Sequence, residues 1–232
     1  MEPGPVSGPG APDDPRFVGY RRKLIEQVRA RGVQDLEILR LLDQVPRHLF
    51  VPEGVWNRAY DDAPVPIGYG QTASQPSLQA LYLAVLRPRE DEHVLEIGTG
   101  SGYLTALLAL LADRVYSVER VRELSQRARA ALDALKLNNV ALLVGDGTIG
   151  WRKYAPYPVI VVSAASPSVP EALVEQLADP GRMLIPVGSR DEQSLLLVRR
   201  EDGEVREEVL GEGASFVPLL GRFGWASEPG DA

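Results

Sequence analysis

Val94-Leu95-Glu96-Ile97-Gly98-Thr99-Gly100-Ser101-Gly102-Tyr103 reads as a short apolar strand, a glycine-rich turn and the start of a helix. Glycines let the backbone turn sharply and approach a ligand closely, and the N-terminus of the following helix offers unpaired N–H groups. A dinucleotide site uses a similar turn, with G-x-G-x-x-G spacing and a pyrophosphate to hold. Here the spacing is G-x-G-x-G, and the carboxylate of Glu96 stands just ahead of it. A carboxylate repels pyrophosphate and suits a ligand that carries positive charge. S-adenosyl-L-methionine, with a sulfonium, an ammonium and no phosphate, meets that condition. Taken alone, the turn is also what a tight strand–helix connection needs for packing.

The same rhythm runs on downstream. Leu104, Leu107, Leu108 and Leu111 repeat at helical spacing, Val115–Val118 is strand, Val121–Leu135 helix and Val140–Val144 strand. Val159–Val162 is strand, Pro170–Leu177 helix and Met183–Val187 strand. Short apolar strands alternating with helices predict a doubly wound, mostly parallel α/β sheet, Rossmann-like and covered on both faces. Ser194–Val198 and Glu204–Leu210, joined through Asp202-Gly203, predict a closing antiparallel hairpin. Open sheets of this kind bind ligands beyond the carboxyl ends of their strands. Glu119 ends the strand after the glycine-rich turn, where an acid accepts hydrogen bonds from ribose hydroxyls. Asp146-Gly147 follows the next strand, at the rim where adenine would lie. Any one of these acids has a bland reading as a solvated loop residue; the ordered set is what points to a ligand.

Upstream, Phe17–Arg31 carries Tyr20, Leu24, Ile25 and Val28 among charges, an amphipathic helix closed by Gly32. Asp35 can cap a second helix with Leu36, Leu39 and Leu42 facing inward. From Pro46 to Pro76, Pro46, Pro52, Pro64, Pro66 and Pro76 with Gly54, Gly68 and Gly70 interrupt any regular element. Phe50, Trp56, Tyr60 and Ile67 nevertheless give that segment surface to bury, so it reads as a functional lid. Leu78–Leu86 is helical. The expected division is a disordered tail over 1–15, one domain over 16–225 and a second tail over 226–232. Within the domain, 16–76 form a helical cap and lid, and 77–225 the cofactor-binding core.

The chain has 232 residues, 44% hydrophobic and 25% charged, globular values for one domain. Its formal charge of −7 offers no basic face for nucleic acid. No cysteine occurs, which excludes disulfides, thiolate metal sites and thiol nucleophiles. His48 and His93 are the two histidines and lie in different segments, so a multi-histidine metal site is excluded. The longest nearly apolar run, Leu104–Ala112, is too short for a membrane span. The first residues show neither a basic start nor an apolar stretch, so no secretory signal is expected, and the expected location is cytoplasmic.

The sequence resembles the protein-L-isoaspartate (D-aspartate) O-methyltransferase family over nearly all of residues 17–225. The resemblance rests on Val45-Pro46-Arg47-His48-Leu49-Phe50-Val51-Pro52, on Pro66-Ile67-Gly68-Tyr69-Gly70-Gln71-Thr72-Ala73-Ser74-Gln75-Pro76, and on the glycine-rich turn with Tyr103. It continues through Gly145-Asp146-Gly147-Thr148, Ser163-Ala164-Ala165, Ile185-Pro186-Val187-Gly188 and Phe216-Val217-Pro218-Leu219. The turn alone would indicate any class I S-adenosylmethionine-dependent methyltransferase; Pro66–Pro76 and Phe216–Leu219 point to this family.

The resemblance implies methylation of the free α-carboxylate of L-isoaspartyl residues in damaged proteins and peptides, with D-aspartyl residues as a second substrate. S-adenosyl-L-homocysteine is the implied product. The ester closes to a succinimide whose hydrolysis restores part of the chain to normal linkage. A carboxylate is already ionised at pH 7 and a sulfonium is already activated, so neither a general base nor a metal is required. What remains is alignment and exclusion of water.

Ser74 matches the family's active-site serine, although its place before Gln75-Pro76 also suits a helix cap. Gln71 and Thr72 are placed to meet the cofactor's amino-acid end, with ordinary loop hydrogen bonding as the alternative. Glu96, Gly98, Thr99, Gly100, Ser101, Glu119, Asp146 and Gly147 form the expected cofactor site, to which Gln193 is added by resemblance. Ile67, Gly68, Val217 and Pro218 are the expected peptide contacts. Asp62 and His48 read as structural. Pro158 and Tyr69 depart from the family pattern, and the tail before Phe17 has no family counterpart. The partners expected are isoaspartyl proteins and peptides, with no nucleic acid, no membrane and a monomeric chain. Two other readings stay open: a class I methyltransferase for a different carboxylate or small molecule, and a non-catalytic S-adenosylmethionine-binding module.

Overall fold

The computed structural model describes residue 11 and residues 14–227. Its elements in chain order are α1 (Val18–Ala30), α2 (Leu36–Gln44), β1 (Val65–Gly68), β2 (Gln71–Ala73), α3 (Pro76–Leu86), β3 (His93–Ile97), α4 (Tyr103–Ala109) and β4 (Arg114–Glu119). There follow α5 (Arg122–Ala134), β5 (Val140–Val144), β6 (Tyr157–Val162), α6 (Glu171–Val174), β7 (Leu177–Gly188), β8 (Gln193–Glu201) and β9 (Glu204–Ala214).

Seven strands form one sheet in the order β5-β4-β3-β6-β7-β8-β9. The first five are parallel, while β8 and β9 close the sheet antiparallel. Side chains on β3 alternate between two cores, as period-two geometry requires. Val94 joins the face covered by Leu24, Leu42, Leu83 and Leu107 of α1–α4. Leu95 and Ile97 join the opposite face with Tyr157, Ile160 and Leu173. From β3 the chain winds outward to β4 and β5, then returns to β6 on the other side. That reversal opens a crevice beyond the ends of β3 and β6, where open sheets bind ligands. No helix among the described residues is long and apolar enough to cross a membrane.

Three local differences from the sequence expectation have physical causes. The proline-rich lid contains a β1–β2 hairpin, with Val65 paired to Ala73 and Gly68 to Gln71. Its two-residue turn, Tyr69-Gly70, has φ of 56° and 67°, the primed-turn geometry that matches strand twist. Val65 and Ile67 are buried while Pro66 is exposed, and because the hairpin has only two strands each is an edge, where a proline is tolerated.

The helix expected over Pro170–Leu177 shortens to Glu171–Val174, because Leu177 already pairs with Tyr157. Pro180 follows where the β6–β7 register shifts, and Pro158 lies opposite in the same irregularity. A missing ladder donor is tolerated at such a place.

The expected tails fall mostly outside the described residues. Within 1–15, however, Ala11 and Asp14 are buried, and the Ala11 carbonyl lies 3.0 Å from His48 Nε2. The chain is therefore already packed before Phe17.

Candidate active site

The glycine-rich turn leaves β3 at Gly98, whose φ is 92° and whose N–H donates to the Val118 carbonyl at 2.9 Å. Gly102 has a different reason to be glycine. A Cβ there would lie 2.8 Å from the Ala128 Cβ, so its absence lets α5 pack against the start of α4. Between them, the Gly100 N–H donates to Glu119 Oε2 at 2.8 Å. Glu119 Oε1 accepts the Val121 N–H, also at 2.8 Å. Both carboxylate oxygens are thus fixed by the backbone, and each keeps lone-pair capacity for a further donor.

One cavity is lined by Thr72 and Ser74 from the lid, by Gln79 from α3, by Gly98, Thr99, Gly100 and Ser101 from the turn and by Glu119 from the end of β4. Gly147, Ser163, Val217 and Pro218 complete its rim. Val217 is held there because its carbonyl accepts the Ala165 N–H at 2.8 Å. Ile67 backs the turn, its Cδ1 3.7 Å from where a Gly100 side chain would begin.

Ser74 is half-buried, and its hydroxyl has no hydrogen-bond partner among the described residues. The helix-cap alternative does not describe it. The N-cap position of α3 is Gln75, whose side chain caps no backbone N–H, and the Ser77 N–H is capped by Asp62 Oδ1 at 2.8 Å. Arg47, fully buried, holds the Ser74 carbonyl through Nη2 at 2.8 Å.

Glu96 requires a correction. Its side chain has no exposed surface and does not line the cavity, so it does not face a bound cation. Like Val94, it projects from β3 toward α4. There its Oε2 accepts Thr105 Oγ1 and Ser117 Oγ, both at 2.6 Å. Ser117 spends its one proton on Glu96, so Thr99 Oγ1 donates to Ser117 Oγ at 2.5 Å. Glu96 therefore braces the turn from beneath. Burial pushes its carboxyl up to about 7, partly offset by the two hydroxyl bonds.

Asp146 and Gln193 also stand behind the cavity and outside its lining. Asp146 Oδ1 accepts the Thr148 N–H and hydroxyl, and Oδ2 accepts the Arg222 N–H at 2.8 Å. It ties the C-terminal segment to the end of β5, leaving Gly147 as the rim residue. Gln193 Oε1 accepts the Phe216 N–H at 2.9 Å, which anchors the stretch leading to Val217 and Pro218. Gly68 lies in the hairpin away from the cavity, and Tyr69 carries the Arg127 guanidinium 5.4 Å from its ring centroid.

The sequence reading overlooked Gln79. The available signal was a lone long polar residue in the otherwise apolar Leu78–Leu86 run.

The family described as protein-L-isoaspartate(D-aspartate) O-methyltransferase matches residues 20–224. The chain belongs to this family. A relative in Geobacter metallireducens named protein-L-isoaspartate O-methyltransferase is 49% identical over 211 residues, covering 90% of this chain and 97% of its own. One of the same name from Dictyoglomus thermophilum is 46% identical over 213 residues, covering 92% and 96%. Among solved structures, a protein-L-isoaspartate O-methyltransferase superposes with a TM-score of 0.80 at 29% identity, over 88% of this chain and 67% of its own. A Plasmodium falciparum protein described by the same activity superposes with a TM-score of 0.75 at 26% identity, over 86% and 98%. That protein is in complex with S-adenosyl-L-homocysteine.

Proposed function

We propose that this family member transfers the methyl group of S-adenosyl-L-methionine to the free α-carboxylate of L-isoaspartyl residues in damaged proteins and peptides. S-adenosyl-L-homocysteine leaves as product. The observation that carries this reading is the unpartnered Ser74 hydroxyl, which shares one cavity with the glycine-rich turn and the Glu119 carboxylate.

The residues present fit the cofactor. Glu119 is 7% exposed at the cavity wall, with both oxygens oriented by backbone N–H groups. That is an acceptor pair for the two hydroxyls of a ribose. When bound, the cofactor supplies an electrophilic methyl group that needs no further activation. This chain's residues supply placement. Ser74 donates its hydroxyl proton to one oxygen of the acceptor carboxylate and holds it in line, while Val217 and Pro218 shield the cavity mouth from water. The methyl ester then closes to a succinimide without the enzyme, which begins repair of the linkage.

The same reading treats residues 16–225 as one catalytic unit, acting as a cytoplasmic monomer on peptide chains. The charge of −7 supports protein substrates over nucleic acid. A labelled-methyl transfer assay comparing an isoaspartyl peptide with its aspartyl twin is the test. Transfer to the isoaspartyl form is expected, and equal transfer to both, or to neither, would overturn the assignment.

A further inference from the structure

Arg47 donates hydrogen bonds and accepts none. The Gln79 atom facing its Nη1 at 2.9 Å is therefore the amide oxygen Oε1, and the orientation of that amide is settled. The NH2 group points the other way and has no partner among the described residues. Gln79 as a whole is only 6% exposed, and its unpartnered amide nitrogen is not among the fully buried polar atoms, so what surface it keeps opens on the cavity. It lines the cavity with Ser74, and the two meet again, beside Ser163, in a small recess off the cavity.

Arg47 itself has no exposed surface and no carboxylate within ion-pair distance among the described residues. Its other contacts are the Ser74 carbonyl and the ring of Tyr103, 4.8 Å away. A buried cation satisfied only by neutral groups is costly to fold around. Here it orients the side chain and the backbone that flank one face of the cavity, and its positive field extends toward that face.

We propose that Gln79 is a second anchor for the acceptor carboxylate, donating its amide N–H to the anion beside the Ser74 hydroxyl, with Arg47 as the positioning residue that aims it. The inference rests on the reading that an isoaspartyl carboxylate enters this cavity. Two donors would then share the two oxygens, leaving a lone pair of one directed at the methyl group.

The test uses the full chain with Gln79→Glu and Gln79→Met, measuring KM and kcat for an isoaspartyl peptide, S-adenosyl-L-homocysteine affinity by calorimetry, and thermal unfolding. Gln79→Glu keeps an acceptor for Arg47, so the fold is preserved, but it sets a negative oxygen where the donor stood. KM is expected to rise by about tenfold in Gln79→Met, the scale of one charge-assisted hydrogen bond, and further in Gln79→Glu. The rise in KM is expected to exceed any fall in kcat, with product affinity within about twofold of the parent. An unchanged KM in a folded Gln79→Glu would overturn the role. A parallel loss of S-adenosyl-L-homocysteine affinity would overturn it too, by assigning Gln79 to the cofactor. If Gln79→Met does not fold, Gln79→Glu decides alone. A parent enzyme with no isoaspartyl activity would remove both the anchor and the function beneath it, whereas an active parent with unaffected variants removes only the anchor.

Discussion

The carboxylate of Asp62 accepts the backbone N–H of Ser77 at 2.8 Å, across fifteen residues of sequence. It satisfies a donor at the start of α3 that has no partner within the helix, and its second oxygen lies 3.6 Å from the Arg31 guanidinium. The cap that the sequence also offers to Ser74 is thereby made by Asp62 instead. The lid acid stabilises, and the serine is left with its hydroxyl unused in the cavity.

Ser74→Ala is therefore expected to leave stability within about 0.5 kcal/mol of the parent, since no cap is lost. Turnover of an isoaspartyl peptide should fall by about a hundredfold, the scale of a lost positioning donor. S-adenosyl-L-homocysteine affinity, read by calorimetry, should stay nearly unchanged. Equal losses in both would show that the serine serves the cofactor.

Asp62→Ala should behave in the opposite way. Loss of the cap is expected to cost about 1 kcal/mol in denaturant unfolding, with a smaller fall in kcat as the start of α3 frays. A variant as stable as the parent would show that water caps Ser77 equally well.

Much of this was legible in the sequence because strands, turns and helices there obey local rules. The glycine spacing at Gly98, Gly100 and Gly102 and the alternating apolar segments point to the parallel sheet and to a ligand beyond the carboxyl ends of its strands, whereas the strand order is visible only in the structure. The site was harder, because residue type does not reveal direction. Glu96 lies two residues before the turn, yet strand alternation sends it to the α4 face beneath the cavity. Asp146 and Gln193 are near the rim in sequence but spend their polar atoms on the C-terminal segment. Gln79 acquires meaning only through Arg47, thirty-two residues away, a contact that no local pattern encodes.

Glu119→Gln tests the cofactor side. An amide can accept at one end only, so its NH2 group must face either the Gly100 or the Val121 N–H, donor against donor. S-adenosyl-L-homocysteine affinity is expected to fall by at least about tenfold. Calorimetry on the variant decides it; binding equal to that of the parent would free Glu119 from any part in holding the ligand.

The buried Glu96 carboxyl gives a pH signature. Burial raises its pKa to about 7 from the ordinary 4.5, so folding favours the protonated form. Below pH 4.5 the group is protonated in both states and costs nothing. As pH rises from 4.5 to 7 the unfolded chain ionises first, and the folded state loses stability until the deficit levels off above pH 7. Glu96→Gln retains an acceptor for Ser117 and Thr105 but cannot ionise. Its unfolding free energy relative to the parent is therefore expected to improve by about 2 to 3 kcal/mol between pH 5 and pH 8.5. Urea unfolding of both proteins at the two pH values measures this directly. A difference that does not change with pH would mean that Glu96 ionises in the folded protein as readily as in the unfolded chain, and that the chain Thr99–Ser117–Glu96 is held by a charged carboxylate.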